Sequence, residues 1–518
     1  MTTTPDAPAA PERRTTPLPR HDHLIGGERV PPADGAYFGS DNPTTGQPWY
    51  EAARGTAADV GRAVEAARTT FESPGWRRMS RTRRGALLRR VGELVGEHAE
   101  ELARTESTDN GKLLREMRAQ LAGLPECFFY YAGLADKIQG ETIPASSVDV
   151  LNYTLREPVG VVGAITPWNS PLTLTVAKLA PLLACGNTAV VKPSEYTSAS
   201  MLALAPLFEE AGFPAGAVNV VTGFGGEAGA PLVDHDDVAK LSFTGSTATG
   251  SWIAERAGRR LVRAGLELGG KSPQLVFADA DVASAANGVI AGIFAAAGQT
   301  CIAGSRVLAH RSVYDELVQR VVERARTIRI GDPLDEGTEL GPLAMAAQLA
   351  KVEEYVTAGR AEGGVVAHGG GRPDTGLGGW VPRAHRVHRP RQRHPHVPRG
   401  DLRPGRRDHP VRRRRGGTAD RERHRLGPRR RHLDARPRPR PPGRGRPGRR
   451  HGLGEHVPRD VPPVAAVWVQ GLRSRCRARH RGRPRVHATE ERVDQHQRRA
   501  RGRPVRPAVL GGTHRCPS

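Results

Sequence analysis

A cysteine at position 301 lies in a segment whose composition suits a nucleophile. Cys301 follows a run of small residues and is flanked by Gly298 and Gly304. A thiol beside free backbone N–H groups can ionise to a thiolate and attack an electrophilic carbon. A lone cysteine is more commonly a small buried apolar residue. This segment alone leaves both interpretations open.

Glu267 occupies a position that suits a general base. It lies between Leu266 and Leu268 and directly precedes Gly269 and Gly270. Apolar neighbours disfavour the charged form of a carboxylate and so favour its accepting a proton. The alternative is a glutamate that faces solvent on the edge strand of a sheet.

Asn169 lies in a turn that Pro167 and Pro171 bracket, directly after an apolar segment. Such a turn fixes the side chain, and its amide could donate a hydrogen bond to an oxyanion. An Asx turn is the more common use of asparagine in a loop. Asn169 is therefore a candidate oxyanion donor with a structural alternative.

Two further loops suit a nucleotide. Lys192 and Glu195 follow a short apolar segment and could hold ribose hydroxyls, or they could form a surface ion pair. Residues 243–250 place small and polar residues between an apolar segment and a helical one. Glycines let the backbone approach a ligand closely, and a helix N-terminus offers N–H groups to a phosphate. The alternative here is a tight turn with a cap from Ser246.

These loops follow the strands of a repeated strand–helix pattern. Strands are predicted at residues 159–165, 188–191, 218–222 and 239–243, and helices at 172–184, 198–211, 228–233 and 246–257. The repetition predicts an α/β fold with a doubly wound parallel sheet. Ligands bind beyond the carboxyl ends of such strands, which is where the candidate loops lie.

The composition excludes several classes of protein. Of the 518 residues 37% are hydrophobic, and no apolar run is long enough to cross a bilayer. The first 20 residues are rich in proline and threonine and have no apolar core, so no secretory signal is expected. Five cysteines without a CxxC pair argue against a disulfide scaffold or a zinc module. A reduced, cytoplasmic protein is the expectation.

The charge is distributed unevenly along the chain. Residues 381–518 contain 41 arginines and 10 acidic residues but no lysine, whereas the whole chain carries a net charge of +24. The preceding 380 residues are therefore mildly acidic. A basic arm that binds nucleic acid is one interpretation of the tail. The absence of lysine and the lack of interleaved aromatic residues count against it.

In their order and spacing, the segments 167–169, 192–195, 243–250, 267–271 and 298–306 resemble the NAD(P)-dependent aldehyde dehydrogenase superfamily. The resemblance runs from about residue 24 to residue 380. It implies a doubly wound parallel-sheet cofactor domain and an α/β catalytic domain. The predicted divisions are a disordered leader (1–20), an NAD-binding domain (21–267), a truncated catalytic domain (268–380) and a disordered, arginine-rich tail (381–518). Residues 133–152 would belong to an oligomerisation element.

The resemblance also implies a role for each candidate in catalysis. Cys301 would attack the aldehyde to give a thiohemiacetal that becomes a thioester, and Asn169 with the Cys301 backbone N–H would form the oxyanion hole. Glu267 would activate the water that hydrolyses the thioester. A glutamate at this position favours hydrolysis over transfer to coenzyme A.

The implied cofactor is NAD, because a glutamate at position 195 would bind both ribose hydroxyls and repel the 2′-phosphate of NADP. The substrate is a small-molecule aldehyde whose identity the sequence does not give, with Trp168, Leu172 and Ile302 expected along its path. A homodimer or homotetramer is implied if the C-terminus is intact, with no metal and no membrane. The implied cofactor-binding residues are Thr166, Pro167, Trp168, Lys192, Ser194, Glu195, Gly225, Gly245, Ser246, Gly250 and Leu268.

The tail has the composition of GC-rich coding DNA translated out of frame. Codons chosen for residues 398–405 and read one nucleotide later give Arg-Glu-Glu-Ile-Phe-Gly-Pro-Val, a signature segment of the family. Residues 381–389, 451–459 and 484–497 also give family-like strings at the same offset. These matches predict one inserted nucleotide at or just after the Trp380 codon. The chain as written is then expected to be largely inactive. The alternatives are a catalytically dead remnant and a nucleic-acid-binding fusion.

Overall fold

The structure is a computed structural model that describes residues 17–373, 375–381 and, for the backbone alone, 386–388. All of these residues belong to one compact unit of the chain. The predicted disordered tail lies outside the described residues except for 381 and 386–388, and the predicted leader lies outside them up to residue 16. Arg20, placed in that leader, instead begins a strand that pairs with residues 51 and 52.

The strands are β1 (Arg20–His21), β2 (His23–Ile25), β3 (Glu28–Val30), β4 (Tyr37–Asn42), β5 (Gln47–Ala53), β6 (Thr142–Ile143), β7 (Asn152–Tyr153), β8 (Val161–Ile165), β9 (Thr188–Lys192), β10 (Val218–Val220), β11 (Val238–Gly245), β12 (Arg263–Leu268), β13 (Pro273–Val276), β14 (Arg306–Ala309), β15 (Val365–His368) and β16 (Arg386–His388).

The helices are α1 (Ala57–Glu72), α2 (Pro74–Arg77), α3 (Arg81–Glu97), α4 (Ala99–Asn110), α5 (Leu114–Ala122), α6 (Leu124–Leu134), α7 (Pro171–Ala184), α8 (Ala199–Leu204), α9 (Pro206–Glu210), α10 (Ala230–Asp234), α11 (Thr247–Arg259), α12 (Val282–Phe294), α13 (Arg311–Arg326) and α14 (Ala346–Ala361). A π-helical turn (Gly225–Gly229) precedes α10, and a 3₁₀ turn (Ala295–Gly298) follows α12.

The central sheet confirms the predicted doubly wound α/β fold. Its strand order is β12-β11-β8-β9-β10-β2-β3, and the first five strands are parallel. The chain runs outward from β8 through β9 and β10 and then returns to the other side of β8 with β11. This reversal is the topological switch point at which such sheets bind ligands. The antiparallel hairpin β2–β3 closes the far edge, and the sequence analysis did not predict it.

Successive side chains of the central strands point to opposite faces of the sheet, and each face is covered by helices. On one side Val162 and Val191 pack into a large core with α3 to α9. On the other side Val161 and Val190 pack against α1, α10 and α11. Burial on both faces explains why these strands read as continuous apolar runs.

Two predicted helices are built differently. The helix predicted at 198–211 is divided into α8 and α9, because Pro206 has no N–H to continue the first helix. The helix predicted at 228–233 is the π-helical turn followed by α10.

The residues after Leu268 form a third core, in which β13 and β14 pack on α12 and α13. Leu275 and Leu308 are paired across the two strands, yet their residues are 52% and 43% exposed. Parallel strands are normally covered on both faces. The face of β13 and β14 that carries Leu275 and Leu308 is not buried by any of the described residues. The predicted boundary at 267/268 stays a prediction.

No helix in the described part of the chain is both long and apolar enough to cross a lipid bilayer.

Candidate active site

A cavity of about 580 Å³ lies at the carboxyl ends of β8 and β11, at the switch point of the sheet. We call it the switch-point cavity. It brings together segments that are more than 100 residues apart in sequence. Twelve of the fourteen predicted site residues line it, namely Thr166, Pro167, Trp168, Asn169, Lys192, Ser194, Glu195, Gly225, Gly245, Ser246, Leu268 and Cys301.

The other two predicted residues, Glu267 and Gly250, are not among the residues that line the cavity. Gly250 is buried in α11, and a Cβ atom there would lie 2.5 Å from Cδ2 of Leu268. Its role in this structure is to let α11 pack closely against a side chain that does line the cavity.

Asn169 and the Cys301 segment are joined by a hydrogen bond. The Asn169 Nδ2 donates to the carbonyl oxygen of Gln299 at 2.7 Å. Gln299 is itself fixed, since its Oε1 accepts from the backbone N–H of Ala344 at 3.1 Å. The asparagine thus faces the segment of Cys301, two residues away from the cysteine, and is held by more than a local Asx turn.

The backbone before Cys301 is unusual. Ala296 and Ala297 have φ of 51° and 52°, and Gly298 has φ of 73°. Left-handed alanines carry a conformational cost, and such residues cluster at functional sites. At this turn the chain changes direction after α12. Cys301, which follows it, is an exposed free thiol. The interpretation of Cys301 as a small buried residue is therefore wrong.

Glu267 is exposed on β12, which is an edge strand of the central sheet. The predicted apolar enclosure by Leu266 and Leu268 is wrong, because side chains alternate along a strand and its two neighbours point to the other face. Lys178 of α7 lies within electrostatic reach of Glu267. Burial lowers the pKa of Lys178 to about 8, and the Glu267 carboxylate opposes that shift.

Lys192 and Glu195 form an ion pair at the carboxyl end of β9. The Lys192 Nζ lies 3.1 Å from Glu195 Oε2, and the lysine side chain is only 3% exposed. Burial lowers the pKa of Lys192, and Glu195 opposes that shift. The pair is therefore not the solvated surface pair of the alternative interpretation. Both side chains line the switch-point cavity.

The remaining lining fits a dinucleotide. Gly225 and Gly245 offer backbone without a side chain, and Ser246 caps α11 by accepting from the Thr249 N–H at 3.1 Å. The predicted serine cap is thus confirmed. The buried Thr166 Oγ1 has no hydrogen-bond partner among the described residues. Thr166 lines the cavity as a residue, whereas its Oγ1 is itself buried.

Helix α14 contributes to the cavity lining, which the sequence pattern did not predict. Gln348, Lys351, Val352 and Tyr355 line the cavity, and their spacing of three, four and seven residues places them on one helix face. No chemical motif marks that helix. Leu172, expected along the substrate path, is instead fully buried in the core.

Three comparisons with known proteins agree with this geometry. The sequence profile of the aldehyde dehydrogenase family matches residues 30–382. The chain is 47% identical over 335 residues to (Z)-2-((N-methylformamido)methylene)-5-hydroxybutyrolactone dehydrogenase of Acinetobacter baylyi, covering 65% of this chain and 69% of the relative. It is 44% identical over 373 residues to hydroxyisobutyraldehyde dehydrogenase of Mycolicibacterium austroafricanum, covering 72% of each.

Among solved structures, the fold is similar to that of an aldehyde dehydrogenase from Bacillus cereus in complex with NAD+. The TM-score is 0.69 at 42% sequence identity, and the match covers 71% of this chain and 74% of that one.

Proposed function

The chain belongs to the aldehyde dehydrogenase family, and on that premise we propose that its switch-point cavity oxidises an aldehyde to a carboxylic acid with NAD. The observation that carries the proposal is the joining of Asn169 to the Cys301 segment through Gln299. The proposal is supported by a cavity whose lining includes this amide donor, the exposed Cys301 thiol and the Lys192–Glu195 pair.

In the proposed mechanism Cys301 attacks the aldehyde carbon as a thiolate. The oxyanion of the thiohemiacetal accepts hydrogen bonds from the Asn169 amide and the Cys301 backbone N–H, which stabilise the developing charge. NAD, when bound, supplies the hydride acceptor that turns this adduct into a thioester. Glu267, which directly precedes the lining residues Leu268 and Gly269, would then take a proton from the water that attacks the thioester, and the acid would leave as the thiolate is restored.

The cofactor preference is proposed from the charge at the end of β9. The Glu195 carboxylate can accept hydrogen bonds from two vicinal hydroxyls, and Lys192 holds it in place. A 2′-phosphate at the same position would meet the negative charge of Glu195. Gly225, Gly245 and the N-terminus of α11 would receive the pyrophosphate.

The test is an aldehyde-dependent increase in NADH absorbance, measured with the chain whose reading frame after Trp380 is restored and with its Cys301→Ala variant. We expect turnover that the cysteine substitution abolishes while NAD binding persists. Turnover that survives in Cys301→Ala would contradict the proposed chemistry.

We also propose that a nucleotide inserted near the Trp380 codon displaces the rest of the catalytic domain. The family profile ends its match at residue 382, two residues after the break that the codon argument identifies. Up to that point the chain is anchored, since Trp380 N–H donates to the Pro43 carbonyl and Leu343 N–H to the Trp380 carbonyl. The exposed face of Leu275 and Leu308 is the surface that the displaced residues would cover.

Resequencing the DNA across the Trp380 codon tests this proposal. If the nucleotide is absent from the new sequence, the restored chain is expected to be the active enzyme. If it is confirmed, the chain as written is expected to turn over poorly, and normal turnover by that chain would contradict the proposal.

A homo-oligomer is proposed from an apolar hairpin. β6 and β7 pair in antiparallel fashion, and the adjoining Val148, Leu151 and Leu155 are at least 69% exposed. Such a patch favours burial against another chain. Sedimentation analysis of Leu151→Asp should show a smaller assembly than the parent, and an unchanged mass would contradict the assignment.

A further inference from the structure

Three ionisable side chains that the proposed mechanism does not use contact the loops next to Asn169 and Cys301. Glu106 belongs to α4, Lys112 follows the left-handed Gly111 that ends α4, and Glu116 belongs to α5. Glu106 is fully buried and Lys112 is 3% exposed. We call these three residues the buried carboxylate–lysine cluster. None of them lines the cavity.

Buried charges of this kind are by themselves weak evidence for a contribution to stability. Lys112 lies within electrostatic reach of both Glu106 and Glu116. Removing charges from water is costly, and apolar residues of similar volume are commonly at least as stabilising as a buried ion pair. The structural effect of the cluster therefore lies in the groups to which it hydrogen-bonds.

Its first contacts are with the loop that carries Asn169. The Lys112 Nζ donates to Ser170 Oγ at 2.6 Å, and Glu106 Oε2 accepts from the Leu172 N–H at 3.2 Å. The Ser170 side chain makes no capping bond to its own helix, α7. The Glu106 carboxylate, 66 residues away in sequence, thus accepts from the Leu172 N–H in the first turn of α7. Negative charge is favoured at a helix N-terminus. These bonds fix the residues immediately after Asn169.

Its second contact is with the turn that precedes Cys301. Glu116 Oε1 accepts from the Ala296 N–H at 3.3 Å. Ala296 is one of the two left-handed alanines, and such a conformation persists only where its surroundings impose it. Glu116 supplies one of the bonds that impose it, five residues before Cys301.

We propose that Glu106, Lys112 and Glu116 are positioning residues that fix the Asn169 loop relative to the Cys301 turn. The cluster hydrogen-bonds to both loops. The bond from Asn169 to Gln299 joins the same two loops at the cavity. The inference rests on the proposed catalytic roles of Asn169 and Cys301. Its structural part, that the two loops are mechanically coupled, can be tested without turnover.

The test is amide hydrogen exchange of the full chain, followed in peptides that cover residues 166–172 and 296–304. Ser170→Ala removes a contact of the first loop only, and Glu116→Met removes a contact of the second loop only. Each variant is expected to accelerate exchange about fivefold in both loops. Glu116→Gln keeps an oxygen acceptor for the Ala296 N–H and should restore the parent rates.

Thr188→Val is the matched control. It removes a buried hydroxyl bond, from Thr188 Oγ1 to the Ala67 carbonyl at 2.9 Å, on a strand that contacts neither loop through that group. It should leave the exchange of both loops unchanged. If Ser170→Ala and Glu116→Met each accelerate only their own loop, or if both accelerate the whole chain equally, the positioning role is overturned.

Kinetics separate this inference from the proposed function. In the active enzyme, Ser170→Ala and Glu116→Met should lower kcat about tenfold and leave the KM for NAD unchanged. Cys301→Ala should abolish turnover without altering loop exchange. Coupled exchange in a frame-restored chain that has no aldehyde dehydrogenase activity would refute the proposed function and support the positioning role.

Discussion

The Asn169 side chain donates to the carbonyl oxygen of Gln299 at 2.7 Å, across 130 residues of sequence. The bond uses one of the two N–H groups of the amide and leaves the other for a ligand. It also ties the loop after β8 to the turn that carries Cys301. A substitution that removes the Asn169 amide would therefore remove this bond together with the proposed hydrogen bond to the oxyanion.

We expect Asn169→Ala to lower kcat by roughly 10²- to 10³-fold, the usual effect of removing an oxyanion donor. The KM for NAD should change little, because Lys192 and Glu195, the proposed ribose-binding pair, lie at the end of another strand. Steady-state kinetics with a saturating aldehyde measure both parameters. Asn169→Asp, which keeps the shape but lacks the donor, should be equally impaired. Full activity in that variant would contradict the role.

Glu195→Gln should weaken the discrimination against NADP. The substitution removes the negative charge that opposes a 2′-phosphate and leaves the buried Lys192 ammonium beside a neutral amide. We expect the ratio of kcat/KM for NADP to that for NAD to rise roughly tenfold. Glu93→Gln, at an exposed glutamate that pairs with Arg90 on α3, is the control and should leave the ratio unchanged. An unchanged ratio in Glu195→Gln would remove the support for NAD preference.

His23 should make the folded state less stable as the pH falls. Burial lowers the pKa of His23 to about 4 from its ordinary 6.5, although Asp59, 3.8 Å away, opposes the shift. The unfolded chain binds the proton more readily, so this residue's contribution to the free energy of unfolding declines from pH 6.5 to pH 4. The full effect is about 3 kcal/mol. Urea unfolding of the parent and of His23→Gln across that range should show a less steep decline in the variant. Parallel curves would contradict the prediction.

Asp109 should act in the opposite direction. Burial raises the pKa of its carboxyl to about 8, so the folded state holds a proton that the unfolded state releases above pH 3.8. Its contribution to stability is therefore present at low pH and is lost as the pH rises towards 8. We expect Asp109→Asn, measured by the same urea unfolding, to remove the decline between pH 6.5 and pH 8. A decline that persists in the variant would assign it to other groups.

Gly250→Ala should disturb the cavity more than the fold. The added Cβ would lie 2.5 Å from Cδ2 of Leu268, so that side chain must move, and it lines the cavity. We expect a raised KM for NAD with a small change in the melting temperature. Gly258→Ala is the control on the same helix, because no atom of the described residues lies within 4 Å of its added Cβ. That variant should be stabilised by up to about 1 kcal/mol with an unchanged KM.

Much of this site could be predicted from the sequence because its signals are local. Pro167, Asn169 and Ser246 directly follow strands whose apolar runs are visible in the sequence, and parallel strands bring such loops to one edge. The apolar periodicity therefore predicted the doubly wound sheet, and the loop residues after its strands predicted most of the cavity lining. The family resemblance added their roles, which spacing alone leaves open.

Tertiary structure alone decided the environment of each group. Leu266 and Leu268 flank Glu267 in sequence but point to the other face of β12, so sequence neighbours did not describe its surroundings. Gln348 and Lys351 reach the cavity from a helix that carries no chemical motif. Glu106 meets the first turn of α7 across 66 residues. The burial, charge and hydrogen bonding of a residue depend on which residues contact it in space. In this protein those contacts are between segments that are distant along the chain.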